Sequence, residues 1–414
     1  MSASTTTGTV SGPTVLLLLD ALPLPLTEGD RLRSYYLARA QAEAGRCVLA
    51  AMKGTEEQRE ALLSEGPFDE ILMLPSCSER GSFRRHLRTD NGHYLRWGWP
   101  AWFDACTQAL RRFVAEHEVT VAIAGKLTVA ELVAVLDVHH RVVDDFDCYT
   151  LTLEREYALH ARSLTLPRRF HHLLAQHRYA RQESRLSERF ALITTISPTD
   201  GARLRALDPR ARVEIVPNGV EPGLLDVGRT WPEARSAGVA FWGNLAFEPN
   251  RSAVQWFIDE VYAPWLAAAE TPCYLIGGGA DEWIRRLPER FPKVRVTGFV
   301  EDLPALVQRV PVMVNPMVSG SGLKNKMLEA MAMGRAVVST RMGSEALAAH
   351  PERHFLLADR PERFAQAVLD LHAKPQFAEA LGTRARELVA SMYTWPSVIT
   401  RWRDVLASVE TAAR

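Results

Sequence analysis

The chain has 414 residues, 47% of them hydrophobic and 24% charged, with a formal net charge of zero. That length suits two domains, each able to bury its own core, and the charge balance argues against a dedicated nucleic-acid binder, which carries a strongly basic domain. Five cysteines (Cys47, Cys77, Cys106, Cys148 and Cys273) lie far apart with no CxxC spacing, a pattern of buried thiols in a reducing compartment and not of a disulfide framework or a zinc site.

The N-terminal MSASTTTGTVSGP is polar and lacks the features of a signal peptide. The apolar run Val15 to Leu19 ends at Asp20, far short of a membrane span, and reads as a buried strand. The expected location is therefore cytoplasmic.

Short apolar runs then alternate with amphipathic stretches, the signature of an α/β fold with parallel sheets. In the first half strands are predicted over 14–21, 46–52, 70–74, 119–125, 141–147 and 190–197. Between the first two, DRLRSYYLARAQAEAG reads as a helix with Asp30 as N-cap and Gly45 as its stop. The pattern restarts after a stretch at 217–237, with strands predicted over 238–245, 273–279, 294–300, 310–317 and 335–340. The expectation is two doubly wound domains, 1–217 and 218–390, facing across a cleft. The last helical stretch, 391–414, is expected to cross back towards the first domain. In open parallel sheets ligands bind outside the carboxyl ends of the strands, so the loops after residues 20, 125, 147, 197, 245, 279, 300 and 317 are the ones to interrogate.

The most informative stretch is PMVSGSGLKNKMLEAMAMGRAVVST, residues 316–340. It reads as strand, glycine-rich turn, helix, glycine stop and strand. Gly320 and Gly322 let the backbone approach a ligand closely. A helix beginning near Leu323 offers unpaired N–H groups and a partial positive charge, and Lys324 and Lys326 add full charge at the same place. A diphosphate suits this combination, with Glu329 one helical turn beyond Lys326. The same local pattern also suits a solvated helix start, and spacing alone leaves both readings open.

The segment GLKNKMLEAMAMG resembles the donor-binding motif of glycosyltransferase family 4, in particular the sugar transferases found with bacterial exopolysaccharide systems. PLTEGDRLRSYYLA (25–38), VVDDFD (142–147), ISPTD (196–200), VPNGVEP (216–222), FWGNLAFEPNRSAVQWF (241–257) and VTGFVEDLPAL (296–306) fall in the family's order. The resemblance implies a GT-B fold of two Rossmann-like domains and transfer of a sugar from a nucleotide-sugar donor, with retention of configuration. It implies that Glu329 binds the ribose hydroxyls. By the same resemblance Lys326, with the amides around Gly322, Leu323 and Lys324 and the neighbouring Asn325, would hold the diphosphate and stabilise its departure. It further implies that Gly243 and Asn244 approach the phosphates, that the turn at Phe299, Val300 and Glu301 holds the base, and that the loop around Gly29 and Asp30 closes over the donor.

The sequence also departs from the wider family. Eight residues before Glu329 stands Ser321, where many members carry a glutamate; serine can bond a sugar hydroxyl but brings no carboxylate. After Gly243 the chain reads AFEPN, with Asn250 and Arg251 in place of an early basic residue. His139 and His140 precede a strand, at the wrong end for a cleft histidine.

Asp144, Asp145 and Asp147 lie near a strand end, but no metal or other cofactor is expected, because the resemblance implies none and strand-end aspartates commonly cap loops. Alternation puts Asp145 and Asp147 on one face, and one of them is expected to meet the acceptor. Seven arginines between Arg162 and Arg189 accompany Phe170, Leu173 and Leu174. Docking on anionic lipid and a solvated helix face both fit them. The expected partners are a nucleotide-sugar donor and a glycan, lipid-linked or small-molecule acceptor, with peripheral contact to the inner membrane face. A donor-binding subunit without activity and a nucleotide-sugar epimerase are the alternatives.

Overall fold

A computed structural model describes residues 12–26, 29–76, 94–161, 164–227, 238–320 and 322–411. Two compact units make up the chain. Met1–Glu154, Leu164–Val216 and Ile399–Arg414 form the first, and Arg155–Ser163 with Pro217–Val398 form the second.

The first unit holds a seven-stranded sheet, all parallel, in the order β3-β2-β1-β4-β5-β6-β7. The strands are β1 (Thr14–Leu19), β2 (Arg46–Ala51), β3 (Glu70–Met73), β4 (Val119–Ala124), β5 (His140–Asp144), β6 (Leu192–Thr195) and β7 (Val213–Ile215). Every residue of β1 is buried, so the run TVLLLL has no polar alternation: a central parallel strand is covered on both faces. The order reverses between β1 and β4, whose carboxyl ends lead into Asp20 and Lys126. Helix α1 (Gly29–Ala42) follows β1. It begins at Gly29, so Asp30 stands in its first turn and is not the N-cap, while its Oδ1 accepts from the Arg31 amide at 2.9 Å. Two further helices of this region matter below, α2 (Tyr149–His160) and α3 (Leu166–Glu183).

The second unit holds six parallel strands in the order β10-β9-β8-β11-β12-β13. They are β8 (Val239–Trp242), β9 (Cys273–Ile276), β10 (Val294–Gly298), β11 (Val312–Asn315), β12 (Ala336–Ser339) and β13 (Leu356–Leu357). Here the order reverses between β8 and β11. The core joins Val239 and Phe241 of β8 to Val314, Val338, Phe257 and Phe364, all buried, and the Phe257 and Phe364 rings meet edge to face at 6.0 Å. Each such side chain contributes about 1.5–3 kcal/mol by leaving water. Helices α4 (Glu248–Trp256) and α5 (Asn325–Ala332) follow β8 and β11.

The last helix, α6 (Trp395–Thr411), begins in the second unit, where Trp395 is buried and its amide bonds the Val220 carbonyl at 3.1 Å. From Ile399 it belongs to the first. There Arg403 Nε donates to the Ala40 carbonyl at 3.1 Å, and Arg212 donates to the Ser408 carbonyl at 3.2 Å.

Several strands stop earlier than their apolar runs predict. The clearest case is β5, which ends at Asp144 and not at 147. Among the described residues Cys47, Cys106, Cys148 and Cys273 are buried and form no disulfide; Cys77 lies outside them. No described helix is long and apolar enough to cross a membrane.

Candidate functional site

The switch point of the second sheet collects most of the predicted donor residues. At the end of β11, Asn315 Nδ2 donates to Ser339 Oγ (3.1 Å) and to the Gly343 carbonyl (3.0 Å). Thr340 Oγ1 donates to the Met317 carbonyl at 2.6 Å. These bonds fix the exit path of the strand. The chain then turns through Gly320 at φ +91° and Gly322 at φ +67°, left-handed conformations that disfavour any residue with a Cβ.

Lys324 is the N-cap of α5, extended at φ −88° and ψ 95°, and no side chain caps the helix. The helix thus begins at Asn325, two residues later than predicted, because the left-handed Gly322 and the extended Lys324 are incompatible with a helical turn. Leu323 is buried, so what it offers outward is backbone. In α5 the apolar face of Met327, Leu328, Ala330 and Met331 enters the core. Lys326 and Glu329, three apart and therefore neighbours, are left half-buried beside β8.

Lys326 Nζ donates to Asn250 Oδ1 and stands 4.3 Å from the centre of the Phe241 ring. Asn250 Nδ2 donates in turn to the Asn244 carbonyl at 2.8 Å, so one asparagine on α4 ties the ammonium to the loop after β8. Gly243 has φ +143°, and a Cβ there would lie 2.9 Å from Asn250 Nδ2 and 3.4 Å from Lys326 Nζ; only glycine fits. Gly277 does the same for the next loop, since its Cβ would overlap the Gly243 carbonyl at 1.9 Å. Burial, aided by the neighbouring Lys324 charge and opposed by Glu329, brings the Lys326 ammonium down to about 7.

Glu329 Oε2 accepts a 2.6 Å hydrogen bond from Trp242 Nε1, the last residue of β8. Burial pushes its carboxyl above the usual range, against the Trp242 bond and the Lys326 charge. Asn325 Oδ1 accepts from Asn218 Nδ2 at 3.1 Å. The chain therefore brings Gly243, Asn244, Asn250, Gly320, Gly322, Lys324, Asn325, Lys326 and Glu329 together. Val300 follows β10, at the sheet edge, half-buried beside an exposed Phe299. Arg251 faces Glu248 (2.6 Å) and Asp281 (3.9 Å), carboxylates of the surface. Ser321 lies outside the described residues.

In the first unit, Lys126 Nζ bonds Asp30 at 2.7 Å and Asp20 at 3.3 Å, 6.0 Å from the Phe146 ring centre. Asp30 is thus engaged by a lysine at the β1/β4 switch point, and Gly29 opens the helix that carries it.

The alternation expected for Asp145 and Asp147 does not extend to them, because β5 has already ended. Asp145 is buried and both its oxygens lack a hydrogen-bond partner. Burial first, then Glu183, Asp200, Asp144 and Asp147, hold its carboxyl well above the usual range. Asp147 is half-buried. Asp144 is taken by Arg33, whose Nε and Nη2 meet its two oxygens at 2.6 and 2.7 Å. Among the described residues no group of three or more His, Cys, Asp or Glu is placed to hold a metal ion.

Sequence reasoning missed Lys126, Trp242 and Asn218. The first had a signal, since it directly follows the β4 run in a loop already marked for its position at a strand's carboxyl end.

Residues 236–374 match the family model described as Glycosyl transferases group 1. An uncharacterized 44.6 kDa protein in the cps region of Klebsiella pneumoniae is 24% identical over 146 residues, a match spanning 33% of this chain and 38% of that protein. Among solved structures, the chain is similar to sucrose-phosphate synthase from Thermosynechococcus elongatus, with a TM-score of 0.69, 15% identity and coverage of 97% of this chain and 100% of the other. It is likewise similar to Anabaena HepE in complex with UDP, with a TM-score of 0.66, 13% identity and coverage of 96% and 100%.

Proposed function

From a chain whose second unit carries a group 1 glycosyltransferase domain on a GT-B fold, we propose a glycosyltransferase that moves a sugar from a nucleoside-diphosphate-sugar to a glycan, lipid-linked or small-molecule acceptor, with retention of configuration. Peripheral contact with a membrane belongs to the same proposal. One observation carries it: an ammonium anchored by Asn250 beside Gly243, next to a glycine turn and a helix start without a side-chain cap. Backbone amides and a fixed cation converging on one point make a diphosphate site.

In this reading the diphosphate lies against the amides of Gly322 to Asn325 and Lys326 Nζ. The anomeric carbon–oxygen bond breaks with its electron pair staying on the diphosphate, an acceptor hydroxyl oxygen bonds the anomeric carbon on the same face, and the hydroxyl proton passes to the departing diphosphate oxygen. Negative charge grows on the leaving oxygen, and donors already in position stabilise it without reorganising. Ser321 faces the sugar, Glu329 takes the ribose hydroxyls, and Val300 flanks the base. Gly29 and Asp30, at the start of α1 in the first unit, belong to the same proposal, and of the two aspartates after β5 the half-buried Asp147, not the buried Asp145, is the one open to an acceptor. Neither a metal nor another cofactor enters the reaction.

A thermal-shift screen against UDP-, GDP- and dTDP-linked sugars tests the donor half, because a bound donor raises the unfolding temperature by mass action. UDP-sugars come first, since uridine diphosphate is what the HepE complex holds. One stabilising donor that is consumed with release of its nucleoside diphosphate when acceptors are added supports the proposal. Stabilisation by none of the three would end it.

Trp242→Phe separates the two halves of the donor. The phenyl ring keeps the apolar body and removes the N–H that holds Glu329 Oε2 at 2.6 Å. Losing a hydrogen bond to a charged group costs about 1.4 kcal/mol or more, so donor affinity is expected to fall roughly tenfold. The loss should be equal for uridine and UDP, because Glu329 serves the ribose. A loss confined to UDP would disprove that role.

A further inference from the structure

Helix α3 presents an apolar stripe to solvent. Leu166, Phe170 and Leu173 are 79%, 66% and 46% exposed, at spacings of four and three that put them on one side of the helix. A different side, roughly 120° round at 100° per residue, is the one that packs. There His172 bonds the Leu153 carbonyl at 2.7 Å, Tyr179 stacks on Tyr149 at 4.9 Å, and Glu183 accepts from the Tyr149 amide at 2.6 Å. Of the whole helix only Glu183 is buried. A helix this weakly covered, with a phenylalanine two-thirds exposed, needs a physical reason for its outer face.

The charge around the stripe supplies one. Arg168, Arg169, Arg178 and Arg181 lie on α3, and its single acid, Glu183, is the buried residue. Arg169 and Arg181 flank the stripe on its two sides, and His177 continues its line. A solvated helix face usually mixes charges of both signs. An apolar ridge with basic flanks and no exposed acid is what lies in the plane of an anionic bilayer surface, apolar side chains among the acyl ends and arginines among the phosphates.

We propose that α3 docks the protein on anionic lipid through Leu166, Phe170 and Leu173, with Arg169 and Arg181 meeting the headgroups. This deepens only the peripheral-contact part of the proposed function and does not depend on the donor site. Docking through α3 would hold the first unit at the surface where a lipid-linked acceptor presents its sugar.

The test is co-sedimentation of the full chain with vesicles of phosphatidylcholine alone and of phosphatidylcholine mixed with phosphatidylglycerol. The full chain is expected to pellet with the anionic vesicles only, and less as salt rises. Phe170→Glu should lower partitioning roughly tenfold or more by removing the ridge's centre. Arg169→Gln should lower it roughly fivefold, the worth of one basic residue near such a surface. Both variants replace exposed or half-exposed side chains, so both should keep the wild-type unfolding temperature and its shift with a nucleotide-sugar. A donor shift without vesicle binding sinks the docking and leaves the transferase reading standing; vesicle binding without a donor shift does the reverse. Equal pelleting with both vesicle types overturns docking on anionic lipid, as does an unaffected Phe170→Glu. A wild-type dimer that Phe170→Glu makes monomeric, with no vesicle binding, would assign the stripe to contact between copies.

Discussion

Replacing Lys326 with alanine is expected to lower turnover by about two orders of magnitude or more, the cost of losing one pre-placed donor to a leaving group. The side chain is held by Asn250 and lies against Phe241, beside Gly243, where a Cβ would crowd it. That placement is costly for a cation, and burial has already brought its ammonium down to about 7. Removing it should therefore leave folding stability nearly unchanged while chemistry is lost, a split that general damage to the fold would not give. Lys326→Arg should not restore activity, since a planar guanidinium cannot occupy the same point contact.

The same residue fixes a pH dependence. Below pH 7 the ammonium is charged before the donor arrives; above it the free protein holds the amine increasingly neutral. A bound diphosphate favours the charged form, so binding takes up a proton. Donor affinity should then weaken with rising pH, by up to about tenfold per unit above 7. Titration calorimetry between pH 6 and 9 (roughly one unit below to two above that midpoint) would read the slope. The alanine variant should flatten it; a slope that survives there would assign the proton elsewhere.

Arg33→Met is expected to destabilise the first unit by about 3–5 kcal/mol, because it leaves a buried carboxylate without its counter-charge. Arg33 is 1% exposed, and besides its two contacts to Asp144 its Nη1 donates to the Val216 carbonyl at 2.8 Å. Thr194 Oγ1 adds a 2.7 Å bond to the same aspartate. The pair therefore joins α1 to β5 and to the end of the unit at Val216. Adding Asp144→Asn should recover part of the loss, since the orphaned charge causes most of it; two touching residues are expected to be non-additive. Urea unfolding followed by circular dichroism measures both. A loss below about 1 kcal/mol in the single variant would mean that water or another cation replaces the arginine.

What the sequence disclosed divides along physical lines. Long apolar runs such as TVLLLL and VTVAIA announce central parallel strands, since both faces are covered. β7 and β13 span three and two residues, too short for any periodicity to register. The strand alternation that should have paired Asp145 with Asp147 failed because it belongs to a pleated ladder, and the ladder stops at Asp144. The glycine turn, Lys326 and Glu329 were legible as a local pattern within one turn of helix. Their partners were not. Asn250 and Trp242 stand 76 and 87 residues away in sequence, and only the sheet order that sets β8 beside β11 brings them in. Topology, not composition, completes the site.

The central claim is that the turn and helix start of the second unit grip a diphosphate. Calorimetric comparison of UDP with uridine on the wild-type chain and on Lys326→Ala tests it directly. UDP should bind far more tightly than uridine to the wild type, and the variant should lose most of that difference while holding uridine unchanged. Equal binding of UDP and uridine to the wild type, or a difference untouched by the substitution, would contradict it.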